Sequence, residues 1–238
     1  MAGTLINVLA VLIGGLSGTL VGSRLSEKIR ETVMHGLGLV TAVVGMQAAL
    51  GTQNVLLVLG SVLVGGILGE WAQIEDRLEA FGGWLEGRFG SRQDERSLTR
   101  AFVTASLVFC VGPLTVVGSI QDGLTGDYTM LAIKSVLDGF AALAFAASMG
   151  PGVLLSILTI VTVQGGLSLA AMGLGGALGE VTRTTPWVVE MSAAGGVLML
   201  GISLLLLDLR RIRVANLLPA VILAPLAQIA LAALRIVR

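Results

Sequence analysis

The chain has 238 residues, of which 55% are hydrophobic and 13% charged, with 33 glycines and a formal net charge of zero. Soluble globular chains carry about 25% charged residues, and here 17 of the 30 charged side chains fall in two short segments, 23–33 and 70–100. A soluble domain is excluded, and the balance of 15 basic and 15 acidic groups leaves no basic surface for nucleic acid. One cysteine, Cys110, and one histidine, His35, are too few for a disulfide framework, a zinc site of usual composition or a Cys/His catalytic pair.

In chain order, apolar runs predict membrane-spanning helices near 3–22, 34–51, 54–70, 101–121, 128–149, 151–171, 187–208 and 214–234. A span needs roughly 20 mostly apolar residues, so eight use about 160 positions and leave the rest for connections. The runs are continuous and lack the alternation of barrel strands, which leaves an all-α fold. The first run follows Met1-Ala2-Gly3-Thr4, with no positive n-region or cleavage site, and is expected to stay as a helix.

Basic residues set the expected topology. Arg24, Lys28 and Arg30 lie in 23–33, five arginines (77, 88, 92, 96 and 100) in 71–100, and Arg210, Arg211 and Arg213 in 209–213; the opposite connections and the tail hold only Arg183, Arg235 and Arg238. By the positive-inside rule both termini are expected outside and the charged loops in the cytoplasm. Within the 71–100 cytoplasmic segment, Ile74, Leu78, Phe81, Leu85 and Phe89 recur at helical spacing opposite Glu75, Asp76, Glu79, Glu86 and Arg88, which predicts an amphipathic interfacial helix with Trp71 and Trp84 at headgroup level.

Residues 14–22 and 165–173 share Gly-Gly-Leu-Ser followed by four residues and a glycine. The match extends weakly from Gly45 to Gly201 and from Asn54 to Asn216. Spans 1–3 (repeat 1, 3–70) then correspond to spans 6–8 (repeat 2, 151–234), flanking a central pair at 101–149 within a single membrane domain. Odd separation makes the copies inverted, and each places its basic loop on the same side, a plan recurrent in secondary transporters. Gly14, Gly15, Gly165 and Gly166 are expected to break the first helix of each copy. Gly14, Gly18 and Gly22, four residues apart, also suit close packing or dimerisation.

The central pair carries the chemistry. Ser119-Ile-Gln-Asp-Gly123 and Ser135-Val-Leu-Asp-Gly139 repeat one motif, bringing Gln121 and Asp122 into consideration, although Asp122 is placed by sequence near a solvated outer end. Pro113 removes a backbone donor, so span 4 should kink or unwind near Gly112; that is either an ordinary packing kink or a freed carbonyl for a ligand. Lys134 and Asp138 share a face of span 5, beside Ser135. They are either a self-neutralising pair or a substrate or proton site. Gln164 precedes the second Gly-Gly-Leu-Ser, while Asn7, Ser17 and Gln47 are the polar residues of the first copy, each alone explicable as a packing hydrogen bond.

From Cys110-Val-Gly-Pro-Leu-Thr-Val-Val-Gly-Ser-Ile-Gln-Asp-Gly-Leu-Thr-Gly-Asp127, through Lys134-Ser-Val-Leu-Asp-Gly139, to Gln164-Gly165, the chain resembles the YdfK/YqgA-like family of bacterial inner-membrane proteins. The resemblance covers nearly the whole chain. It implies a multi-pass membrane protein of unknown function and supplies no substrate. Ser135-Val-Leu-Asp-Gly-Phe-Ala141 is also similar, over one helix, to manganese exporters of the lysine-exporter superfamily.

The expectation is a non-enzymatic secondary transporter of a small polar or ionic solute, without cofactor, acting in the bilayer as a homodimer. Its site would be Asp138, Lys134, Ser135, Gln121, Asp122, Gln164, Gly112 and Pro113. A divalent-cation exporter, or a regulatory or scaffold membrane protein that transports nothing, is the alternative. No phosphate-binding loop or kinase signature is present, so an ion or proton gradient would supply the energy.

Overall fold

The structure, a computed structural model, describes residues 1–89, 95–110, 112–174 and 181–236. Among these every regular element is helical: α1 (Ala2–Gly22), α2 (Glu27–Leu50), α3 (Val55–Trp71), α4 (Ile74–Phe89), α5 (Glu95–Cys110), α6 (Pro113–Thr125) and α7 (Thr129–Met149). The next helix opens as a 3-10 turn (Pro151–Leu155) and continues through α8 (Ser156–Ile160), a π turn (Val161–Gly165) and α9 (Gly166–Leu174). Then come α10 (Pro186–Leu206), a 3-10 turn (Val214–Leu217) and α11 (Pro219–Ile236). Among the described residues six helices are long and apolar enough to cross a membrane, or up to eight when each of two bent pairs counts as one span. The chain is a polytopic helical membrane protein, and the eight runs read from the sequence are these helices.

Local signals explain the boundaries. Asn54 caps α3, its side chain accepting from the Leu57 amide at 3.2 Å. Gly150 ends α7 at φ +89, a backbone conformation suited to glycine, and Pro151 opens the next turn. Span 4 is two helices, Leu98–Cys110 and Leu114–Thr125, bent by 61°. The carbonyl that Pro113 deprives of its helical donor is that of Phe109, and the Thr115 hydroxyl donates to it at 3.1 Å. That freed oxygen is therefore satisfied locally, as in a packing kink.

Contacts divide the chain into two compact units: Met1–Leu37, Leu78–Cys110 and Leu114–Val181 form the first, and Gly38–Arg77, Val111–Pro113 and Thr182–Arg238 the second. The expected repeats cross this division: each gives its first helix to the first unit and its third to the second, while α2 is divided at Leu37 and α10 lies in the second. Residues 90–94, part of the 71–100 segment read as a cytoplasmic loop, lie outside the described residues; the rest of that segment is the last residue of α3, a two-residue turn, α4 and the start of α5. In the first unit α4 sits on α5 through Gly82, where an added Cβ would stand 2.8 Å from Thr99, and through Phe81, 6.0 Å from Phe102.

Glycine contacts give the relative directions within each unit. In the first, Gly14, Gly18 and Gly22 meet Gly139, Leu143 and Ala147 in the same order, so α1 and α7 run parallel. Gly15 meets Leu154 while Gly165 meets Thr4, so the helix from 151 to 173 runs antiparallel to α1. In the second, Gly38 meets Leu207 and Gly45 meets Gly196, and Gly65 and Gly69 meet Ala220 and Asn216, which makes α2/α10 and α3/α11 antiparallel pairs.

The expected glycine breaks differ from the structure. Helix α1 is unbroken through Gly14-Gly15, because a bare backbone there lets α7 approach instead of ending the helix. Gly165 closes the π turn and Gly166 opens α9, without interruption. The two glycine pairs do not meet one another: Gly15 lies on Leu154 and Gly165 on Thr4.

Candidate functional site: a buried polar cluster in the first unit

The buried residues of α1 are Gly3, Thr4, Asn7, Val11, Gly14, Gly15, Gly18 and Gly22, which is a single helical face. Since Gly14, Gly18 and Gly22 of that face abut the α7 backbone, Asn7 is carried onto α7 as well. There its side-chain Nδ2 donates to Asp138 Oδ2 at 2.9 Å and to Gln164 Oε1 at 2.9 Å. Asp138 also accepts from Lys134, one turn earlier on α7. Gln164 Nε2 reaches Thr4 Oγ1 at 3.4 Å. Five side chains from three helical segments thus form one network, with Asn7 fully buried and Lys134 and Asp138 only 5% and 8% exposed.

The π turn explains how Gln164 joins. Ser156, Ile160, Gln164 and Ser168 are all buried at four-residue spacing; in an uninterrupted α-helix each such step drifts by about 40° around the axis. A wider turn takes up the drift and keeps the row on one face, and such turns are frequent at functional sites.

The network is incompletely satisfied. Asn7 Oδ1, Ser119 Oγ, Ser148 Oγ and Ser168 Oγ are buried without a hydrogen-bond partner among the described residues. Buried polar atoms are nearly always partnered, so each orphan marks a place where water or a ligand belongs. Gly123 of α6 packs on the Ser168 carbonyl; Ser119 lies one turn before Gly123 and Ser168 one turn after Gln164.

Of the residues singled out from sequence, Lys134, Asp138 and Gln164 come together. Ser135 is beside them in sequence, but its hydroxyl donates back to the Leu131 carbonyl at 2.6 Å. Gln121 donates to the Val181 carbonyl at 3.2 Å and lies outside the network. Asp122, expected in a solvated position, is buried instead. It accepts from the Gly3 amide at 3.2 Å and pairs with the Met1 amine at 2.8 Å, because the unsatisfied amides and positive end of α1 supply the partner that water would otherwise provide. Gly112 and Pro113 stand at the bend between α5 and α6. Cys110, at the end of α5, is within electrostatic reach of Lys134 and Asp138.

A family model described as "Protein of unknown function (DUF554)" matches residues 2–229. The chain belongs to this family. It is 27% identical over 231 residues to "Uncharacterized membrane protein YdfK" of Bacillus subtilis (strain 168), covering 94% of each chain. It is 30% identical over 225 residues to "Uncharacterized protein YqgA" of Escherichia coli (strain K12), covering 93% of this chain and 94% of that one. No solved structure matches.

Two features of this DUF554 chain escaped the sequence reading. Asn7, set aside there as a packing amide, is the hub of the network. Glu190, on α10 of the second unit, is 1% exposed. Its carboxylate accepts from Thr52 Oγ1 at 2.5 Å and from the Gln53 amide at 2.9 Å, tying down the turn between α2 and α3. An acid two turns or less from the start of an otherwise apolar helix was the signal for it. Among the described residues no group of three or more His, Cys, Asp and Glu side chains is close enough to hold a metal ion.

Proposed function

We propose that this protein is a secondary transporter that carries a small polar or ionic solute across the bacterial inner membrane by alternating access, with Asn7, Lys134, Asp138 and Gln164 as its binding site. One observation carries the reading: an ion pair inside apolar helices is hydrogen-bonded to amides from two other helical segments, and one amide oxygen is left without a partner. Ionisable groups in such helices are costly and usually mark a substrate or ion path. A pair that merely neutralised itself would need no orphaned acceptor beside it.

The repeated Gly-Gly-Leu-Ser sequence supports the same reading. The two helices bearing Gly-Gly-Leu-Ser run antiparallel and join through Asn7 and Gln164, as cognate elements of inverted transporter repeats do around a central site. On this reading both termini face outward, the energy comes from an ion or proton gradient, the working form is a homodimer, and no bond chemistry or cofactor is involved. The divalent-cation alternative is disfavoured by the donor set, which pairs a single carboxylate with an ammonium.

The test is solute uptake by proteoliposomes, comparing the native protein with Asp138→Asn and with Lys134→Met/Asp138→Leu. Both variants should fold and lose flux. Normal flux in the folded double variant rejects the site, because exchanging a whole buried pair for apolar residues is often tolerated when the pair is structural. Folded native protein with no flux for any solute class leaves the scaffold reading.

A further inference from the structure

We propose that this cluster takes a zwitterion, a small solute bearing an ammonium and a carboxylate a few bonds apart, as amino acids do. The proposal rests on the binding site assigned above and names its ligand class.

The acceptors come first. Asn7 donates both to Asp138 Oδ2 and to Gln164 Oε1. Turning its amide over would set Oδ1 against those two acceptor oxygens, so the neighbours fix the orientation and leave Oδ1 as an acceptor with no donor among the described residues. Asn7 therefore carries a carboxylate and the Gln164 oxygen on its Nδ2 and leaves an orphaned amide oxygen on the same side-chain group. An ammonium has three N–H donors to meet them. The protein already places one ammonium against this set, since Lys134 lies on Asp138 Oδ2. Lys134 thus occupies the place on Asp138 that the solute's ammonium takes.

Charge then decides what else the solute must carry. A simple amine or metal cation that displaced Lys134 from Asp138 would leave a buried ammonium unpaired, which is strongly unfavourable. An anion recruited by Lys134 would strand Asp138 in the same way. A zwitterion does neither: its ammonium meets Asp138 and Asn7 Oδ1 while its carboxylate meets the released Lys134. One buried ion pair becomes two with no change in net charge. A neutral polar solute could occupy the orphaned oxygen but could not compensate for opening the Lys134–Asp138 pair. The orphaned Ser168 hydroxyl, one turn along the helix from Gln164, gives such a solute a further hydrogen bond.

The experiment is thermal unfolding of the purified full-length protein in mild detergent with glycine, alanine or leucine, set against ethylamine, acetate, ethylamine plus acetate, sodium chloride and manganese chloride. A ligand that binds only the folded state should raise the melting temperature by about 5–10 °C at 100-fold excess over its Kd. The expected result is a saturable rise with at least one amino acid, none with either half-molecule or with the salts, and loss of the rise in Asn7→Leu and Asp138→Asn. A comparable rise with ethylamine or a metal salt overturns the proposal in favour of a cation site, and no rise with any amino acid overturns it outright. The native-protein panel decides even if a variant fails to fold. Amino-acid binding without flux in proteoliposomes upholds the zwitterion site and defeats the transport reading; flux of another solute class without amino-acid binding does the reverse.

Discussion

Replacing Gly14 by alanine tests the contact that assembles the cluster. An added Cβ would stand 2.1 Å from the Gly139 carbonyl oxygen, against 3.4 Å or more for ordinary contact, and the obstacle is backbone that no rotamer change can move. Helices α1 and α7 must therefore part by about 1 Å, and a gap of that size forfeits up to half the dispersion energy of the atoms facing it. Overpacking of this kind costs about 1–3 kcal/mol. The same displacement draws Asn7 away from Asp138, so ligand binding should fall with stability. The control is Gly60→Ala on α3, where nothing lies within 4 Å of the new Cβ and relief from glycine's backbone entropy should leave stability equal or higher by about 0.5–1 kcal/mol. Thermal unfolding of both variants in one detergent, with solute binding measured alongside, is the assay. A Gly14→Ala protein as stable as Gly60→Ala, with binding intact, would refute the packing argument.

Glu190→Ala should destabilise the protein by about 1–3 kcal/mol, because it strands the Gln53 amide and the Thr52 hydroxyl; unfolding melts of Glu190→Ala and Thr52→Val show whether the two losses overlap. Hydrogen bonds from Thr129 hold the exposed Asp127 carboxyl below its ordinary value, so its contribution to the start of α7 is present above the ordinary carboxylate range and is lost as pH falls through the lowered value. Asp127→Asn should remove that acid-side component from a melting profile taken against pH. Cysteine placed at Gly126 should be labelled from outside intact cells and cysteine at Arg210 only after the membrane is opened; the reverse pattern overturns the orientation. Mass measurement in mild detergent at several concentrations should give a dimer, and a strictly monomeric particle counts against that assembly.

Much of the architecture was legible because lipid imposes a simple rule on sequence: long apolar runs became helices, and Pro113 marked the bend of span 4. The site was half legible. Lys134 and Asp138 announced themselves as charges where charges are expensive, and Gln164 through its place beside a repeated motif. Asn7 did not, since an amide in a membrane helix is an ordinary packing element until its neighbours are known. Its importance follows from the glycine row that presses α1 onto α7. Asp122 misled for a related reason: its position in the chain predicted solvent, while the partner that buries it, the first turn of α1, lies more than a hundred residues away in sequence. Periodicity reports which residues share a helix face, but not which face meets which, and the π turn that brings in Gln164 leaves no mark in composition.

That π turn amounts to one surplus residue lodged in a helix. A surplus can be handed along to the neighbouring turn by exchanging a few backbone hydrogen bonds, and each residue it passes swings by about 100° about the axis. Were it handed on within the helix from 151 to 173, Gln164 would turn away from Asn7 and Thr4 while both ends of the helix stayed where they are. Amides at 161–165 should then exchange their hydrogens with solvent faster than those of α7 beside them, and deleting one residue within the turn should lock the element in a single setting.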